Sequence, residues 1–338
     1  MAACVSASKG RRHPLLLPGL IALLLVAAIA SVALGSVTIA PARILAVLAG
    51  GGDMVARAIV IDLRLPRMAI GLLVGAMLGL SGAALQGYLR NPLADPGLFG
   101  IAPGAALGAV LSFWTGLAAQ PYVLPVFALT GAGGAMALLA LIAGRQGSVA
   151  LFTLAGMMIA SLAGALMSLA ISLSPTPFAM SEIVTWLMGA LTDRSWHEVW
   201  IAAPLTAMGI GMLMLAGRWL DALSLGEAAA RSLGLEPARL QALMVIGIGL
   251  TVGSGVAVAG IIGFVGLIVP HLMRRFTDGR PSRLIVPSAL AGALLLLIAD
   301  CLCRIVPLQS ELRLGIALSL LGAPFFMALL MRMRQEIA

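Results

Sequence analysis

"GIIGFVGLIVPHLM", residues 260–273, decides how this chain is threaded. As a single helix its fourteen residues would rise only about 21 Å, short of the ~30 Å hydrocarbon core of a bilayer. The stretch therefore reads either as a re-entrant piece buried within the bundle or as a short crossing. The charges on either side of it choose between the two. If it crosses and the N-terminus faces the cytoplasm, Lys9, Arg11, Arg12, Arg90, Arg145, Arg218, Arg231, Arg239, Arg274, Arg275, Arg280, Arg283, Arg332 and Arg334 fall inside. Arg43, Arg57, Arg64, Arg67, Arg194, Arg304 and Arg313 then fall outside. That is 14 against 7 of the 21 basic residues, the bias that the positive-inside rule prefers. If it does not cross, the cluster from Arg274 to Arg283 and the C-terminal arginines move outside and the bias is lost. Crossing is the reading adopted, with ten spans and both termini inside.

The composition around this stretch calls for a membrane. Of 338 residues, 61% are apolar and 10% charged, with a mean hydropathy of +1.09. A soluble domain carries about 25% charged residues and needs polar surface to cover its core. Apolar segments fall at 15–35, 66–88, 98–117, 122–143, 149–173, 197–217, 238–258, 260–273, 284–303 and 313–332. Pro, Gly and most of the charge sit in the connections. No composition shift marks a soluble domain, so residues 1–338 read as a single all-α polytopic domain.

The net charge of +8 does not indicate nucleic acid, because the arginines are scattered through short loops between apolar spans. The first segment is expected to be a retained span and not a cleaved signal, since its apolar run is long for a signal h-region. Cys4, Cys301 and Cys303 form no metal-ligand or disulfide pattern. Gly71, Gly75 and Gly79 in the second segment, and Gly100, Gly104 and Gly108 in the third, are spaced four apart. They read as faces for close helix packing.

One polar interruption stands out, "LSLGEAAARSLGLEP", residues 223–237. Ser224 and Glu227 have the spacing of a capping box. Gly234 suits the left-handed residue after a helix end, and Pro237 can open the next helix. The predicted helix, of about nine residues, is too short to span. With Leu225, Leu233 and Leu235 as apolar contacts, it reads as a docking element for a cytoplasmic partner.

That partner would have to supply energy. The one lysine, Lys9, lies in no G-x-x-x-x-G-K-[ST] loop, so the chain has no Walker A site. An ion-coupled transporter needs ionisable groups deep in the membrane, and the spans hold almost none; Asp300 and His271 lie near span ends. A membrane enzyme is disfavoured by the lack of any paired acid and base or any metal-ligand cluster. His13, His197 and His271 are far apart in the sequence.

Six stretches together resemble the FecCD family of permeases, the transmembrane subunits of type II ATP-binding-cassette importers for iron–siderophore, haem and cobalamin. They are "LRLPR" (63–67), "GAALQGYLRNPLADPGLFGI" (82–101), "LGEAAARSLG" (225–234), "GFVGLIVPHLMR" (263–274), "IADCLCR" (298–304) and "LGAPFF" (321–326). The resemblance implies a ten-helix bundle forming a homodimer in the bacterial inner membrane, with the pathway between the copies. It implies two cytoplasmic ATPase subunits, which use ATP and magnesium, and a periplasmic or lipid-anchored binding protein; this chain is expected to bind no metal or cofactor itself. The insert becomes the coupling helix, with Ser224, Leu225, Gly226, Glu227, Ala228, Arg231, Leu233 and Gly234 at the ATPase. Arg64, Arg67 and Arg304 become contacts for acidic residues of the binding protein. Where the family has E-L-P-x-G, this chain reads "ELRLG", so Arg313 joins that set. The cytoplasmic gate maps on Ser148 and Val149. The implied cargo is a ferric siderophore, with cobalamin or haem as the alternative.

Overall fold

In hydrocarbon every backbone N–H and C=O needs a partner within the protein, which leaves helices as the way for a single chain of this composition to cross. The computed structural model describes residues 14–35, 37–120, 122–144, 149–306 and 311–337, with the side chains of 98 and 332–337 left aside. Among them are fourteen α-helices and no strand: α1 (Leu16–Ala33), α2 (Pro41–Leu48), α3 (Met54–Arg57), α4 (Leu65–Leu89), α5 (Ile101–Trp114), α6 (Val123–Ala143), α7 (Val149–Ser172), α8 (Pro177–Leu187), α9 (Trp196–Ser224), α10 (Glu227–Ser232), α11 (Pro237–Ala259), α12 (Val265–Met273), α13 (Pro281–Ile305) and α14 (Leu314–Ile337). A π-helical run, Ala58–Arg64, makes α3 and α4 continuous, and a 3₁₀ turn, Pro96–Leu98, precedes α5.

Each of the ten apolar segments holds a helix. Eight of these helices are long and apolar enough to span; α5, with 14 residues, and α12, with nine, are the shorter two. The centre of the bundle is α4 and α11, whose apolar stretches are 72% and 78% buried, whereas α1 and α14 are 17% and 22% buried and lie at its margin.

Close glycine contacts draw the central helices together. A Cβ on Gly75 would stand 2.5 Å from the Gly292 carbonyl oxygen of α13, and one on Gly79 would overlap the Ser288 carbonyl. Gly71 faces the Leu297 side chain more loosely. Gly104 and Gly108 pack in the same way on α6, against Ala135 and the Phe127 carbonyl. Gly100 stands apart from that row: it is the N-cap of α5, with a φ of +41°. Buried hydroxyls add a polar joint, Ser81 with Thr251 at 2.8 Å and Thr206 with Ser254 at 3.2 Å. Each hydroxyl on α11 also donates back to a carbonyl of its own helix, so none of these four is left unsatisfied.

The stretch 260–273 runs through the bundle, but not as one helix. Helix α11 ends at Ala259, residues 260–264 are non-helical, and α12 starts after Phe264, which has a φ of +67°. At one end the Ala190 amide donates to the Ala259 carbonyl at 2.9 Å and the Gly315 amide to that of Gly189 at 3.2 Å. A side chain on Gly189 or Gly315 would collide with the Ile261 carbonyl. At the other end Gln86, on the last turn of α4, donates to the Gly266 carbonyl at 3.2 Å and accepts from Arg274 at 3.0 Å. The non-helical residues 260–264 are held at the Gly189 and Gly315 contacts, and the nine helical residues that follow, rising about 13 Å, carry the chain to the Gln86 and Arg274 contacts. Irregular backbone at this depth is tolerable because protein surrounds it. The side chain of Asp95 helps to hold the break: its carboxylate accepts from the Gly97 amide at 2.7 Å and also from Phe264. Burial pushes this carboxyl above the usual range, and those two amides pull it part of the way back.

Candidate functional sites at the two ends of the bundle

The antiparallel pair α4 and α13 defines two ends. Arg67, at the start of α4, meets Asp300, near the end of α13. Gly87, at the other end of α4, packs against Pro281.

At the first end, Asp300 is 1% exposed and receives two guanidinium groups. Arg67 donates to it through Nε at 3.1 Å and Nη2 at 2.8 Å, and Nη2 also reaches Glu311 at 2.7 Å. Arg304 lies one helical turn from Asp300 and closes on its other oxygen. Arg304 also donates to the Ser31 carbonyl at 2.8 Å. Arg64 is 5% exposed; its Nη1 donates to the Val32 and Ala33 carbonyls at 2.8 and 2.9 Å, and its Nη2 to that of Val37. The carbonyls of Ser31, Val32 and Ala33 sit at the C-terminal end of α1, where they lack helical partners and carry the negative end of the dipole. Two arginines thus tie α1 to the bundle.

Arg313 donates to the Thr192 hydroxyl at 3.2 Å. Arg194 makes no ion pair or hydrogen bond among the described residues, and burial, chiefly, lowers its pKa. Arg64, Arg67, Arg194, Arg304 and Arg313 line one cavity of ≈400 Å³ with Glu311 and Asp193. Five of the seven arginines assigned to the outer side by charge counting therefore converge. The sequence spacing exposes the Asp300–Arg304 pair, four residues apart. It conceals the links from Arg64 to α1 and from Arg67 to Asp300, which only packing creates. Arg64 itself has little guanidinium surface left to offer, because α1 already engages most of it.

At the second end, the insert is shorter than its sequence pattern suggests and is capped differently. Gly226, with a φ of +103°, is the N-cap of α10, which runs for six residues, Glu227–Ser232. Ser224 is the last residue of α9 and its hydroxyl donates back to the Asp221 carbonyl at 2.6 Å. The expected box between Ser224 and Glu227 therefore does not form, because α9 continues through the serine. Glu227 lies 3.7 Å from Arg90 instead. A true box occurs at the other end of α9, between Ser195 and Glu198; its "SWHE" pattern is equally visible in the sequence.

The exit from α10 follows expectation. Gly234 has a φ of +85°, its amide donates to the Arg231 carbonyl, and the Leu235 amide donates to that of Ala230. This is the Schellman pairing. Leu235 is thereby buried at 7% exposure, contrary to its assignment as a contact residue, while Leu225 and Leu233 remain 68% and 60% exposed. Ala228 and Arg231 are exposed beside them. Asp221 fastens the base of the insert by accepting from the Ser282 amide at 2.9 Å and from its hydroxyl.

Val149 opens α7 and is half-buried; Ser148 lies outside the described residues. Among the described residues no group of three His, Cys, Asp or Glu side chains could hold a metal ion.

Comparison with known proteins bears on both ends. The profile of the FecCD transport family matches residues 23–332. An uncharacterised ABC transporter permease of Bacillus subtilis (strain 168), YvrB, is 38% identical over 289 residues, covering 84% of this chain and 81% of that protein. The vitamin B12 import system permease BtuC of Salmonella typhi is 38% identical over 275 residues, covering 80% of this chain and 83% of that protein. A solved structure described as a metal-chelate type ABC transporter in an inward-facing conformation superposes with a TM-score of 0.86 at 32% identity, over 95% of this chain and 100% of that one.

Proposed function

This chain belongs to the FecCD transport family, and from that premise we propose that it is the permease of an importer for a large metal chelate. It works as a homodimer in the bacterial inner membrane, driven by a separate ATPase. The observation that carries this reading is α10. It is a short helix held at both ends of its loop, with two leucines turned to solvent and no nucleotide-binding loop anywhere in the chain. An exposed apolar pair on a rigid mount suits a groove in another protein. The α10 end then faces the cytoplasm with both termini, and the Asp300 end meets a binding protein. Leu225, Gly226, Glu227, Ala228, Arg231, Leu233 and Gly234 form the coupling surface, with Ser224 in its supporting stem.

At the opposite end Arg67, Arg304 and Arg313 meet carboxylates of the binding protein. Arg64 supports them from beneath by fixing α1. Val149 and Ser148 stand at the gate. The chain itself holds no cofactor, and ATP and magnesium belong to the partner.

For the cargo, a ferric siderophore follows from the family resemblance, and cobalamin gains weight from the likeness to BtuC. Both are large polar chelates suited to a path between two copies. The deciding experiment is reconstitution of the complete transporter in liposomes with its binding protein. ATP-dependent accumulation of radiolabelled cobalamin or of a ⁵⁵Fe-siderophore identifies the cargo. Accumulation driven by an ion gradient without ATPase would refute the importer reading.

A further inference from the structure

We propose that the end of α12 holds the phosphate of an anionic phospholipid. His271, Arg274 and Thr277 follow one another at intervals of three residues through the last turn of α12 and the turn beyond it. Amide bonds from Arg274 to Pro270 and from Phe276 to Met273 keep the chain coiling there. The Nε of Arg274, the Nδ1 of His271 and the Thr277 hydroxyl are all buried without a hydrogen-bond partner. Thr277 is 9% exposed. Arg274 is half-buried, and a guanidinium partly withdrawn from water without a counter-charge is costly. Three unsatisfied polar groups this close in sequence mark a place built to receive an acceptor.

Among the described residues no carboxylate is bonded to Arg274. Asp278 is engaged by Arg283 at 2.8 Å and approached by Arg280 at 3.8 Å, Asp221 by Ser282, and Glu227 by Arg90. Burial alone lowers the Arg274 pKa, with no acidic neighbour opposing it. Its single hydrogen bond goes to the neutral Gln86 amide. An arginine that merely answered the helix dipole would donate to the last carbonyls of its own helix, and Arg274 does not.

The surroundings select a lipid over a soluble anion. Leu272 is 37% exposed and Phe276 43%, and the His271 ring stands edge-on to Phe325 of α14 at 6.0 Å. The cations thus border apolar surface at the end of a membrane-crossing segment, where acyl chains and a headgroup meet. Basic pockets between transmembrane helices bind anionic headgroups in this way, and the exposed Arg275 adds a second charge at the rim.

Native mass spectrometry of the purified full-length protein tests the site. The probes are phosphatidylglycerol and phosphatidylcholine with identical acyl chains. The parent should retain phosphatidylglycerol preferentially, and Arg275→Gln, at an exposed position, should weaken that retention roughly five-fold. Arg274→Gln with Arg275→Gln should remove the preference, while Arg283→Gln, whose partner is Asp278, should not. Parent-like retention by Arg275→Gln and the double variant, or equal retention of the two lipids by the parent, would overturn the proposal. Displacement of the lipid by inorganic phosphate would reassign the site to a free oxyanion. Loss of the ATPase with lipid retention unchanged would reassign it to a protein carboxylate.

Discussion

The two ends of the bundle treat arginine in opposite ways. At the Asp300 end, Arg64, Arg67 and Arg304 are locked into acids and backbone carbonyls drawn from α1, α13 and the segment before α14. At the α10 end, Arg90 has a loose partner at 3.7 Å and Arg274 has only a neutral amide. A carboxylate that met Arg67 would have to displace Asp300 or Glu311, whereas Arg313 and Arg194 in the same cavity carry no ion pair among the described residues. Association through Arg67 would therefore shift internal ties between helices as well as add a contact. At the second end, two leucines are already bare, and a partner could seat without breaking anything. One end is largely a closed network, and the other is a finished surface.

The largest effect should come from Asp300→Ala, which leaves two guanidinium groups buried around an empty position. Removing one partner of a buried ion cluster costs about 3–5 kcal/mol. Thermal unfolding in detergent should show it, and a parent-like melting temperature would mean that the network contributes no rigidity. Next comes Gly75→Leu, midway between the ends, where even a Cβ would press on the Gly292 carbonyl. Overpacking here should cost about 1–3 kcal/mol or more and loosen both ends together. Unchanged melting would show that α4 and α13 can part without penalty.

Leu225→Asp with Leu233→Asp should leave stability within about 0.5 kcal/mol, as exposed substitutions do, yet abolish copurification of the ATPase. Intact copurification would remove α10 from the coupling role. The smallest stability effect is expected from Glu311→Gln. Its carboxylate is 34% exposed, and such pairs contribute about 0–1 kcal/mol. Because the change frees one donor of Arg67, the binding protein should associate more tightly at low salt. Weaker association would show that Glu311 orients Arg67 and does not compete for it.

These experiments divide along the same line as the legibility of the chain. The Leu225→Asp and Leu233→Asp pair could be designed from "LSLGEAAARSLGLEP" alone, since helix exit signals act over a few residues and Gly234 performs as its position predicts. The start of the same helix could not. Ser224 satisfies the capping pattern, but α9 runs on through it because Asp221 is bonded to Ser282 of a helix distant in sequence. The arginines of the Asp300 end divide likewise. Their grouping on one side follows from charge counting, whereas their convergence on one cavity and the burial of Arg64 depend on packing, including where the end of α1 comes to rest.

What the sequence by itself determined is the membrane environment, the ten apolar helical segments and the grouping of charge, because each is a sum over many residues and tolerates local error. Apolar length sets the segments, and the 14-to-7 division of basic residues favours a course for 260–273 from one end of the bundle to the other. Only the tertiary structure decided how that stretch runs. Residues 260–264 can leave the helix inside the bundle because Gly189 and Gly315 let neighbouring backbone close around them, and because Asp95 accepts the amide at the turn. Those partners lie from about fifty to more than 150 residues away in the sequence. No local pattern in 260–273 encodes them, and it is their hydrogen bonds and close packing that make a broken helix affordable inside the bundle.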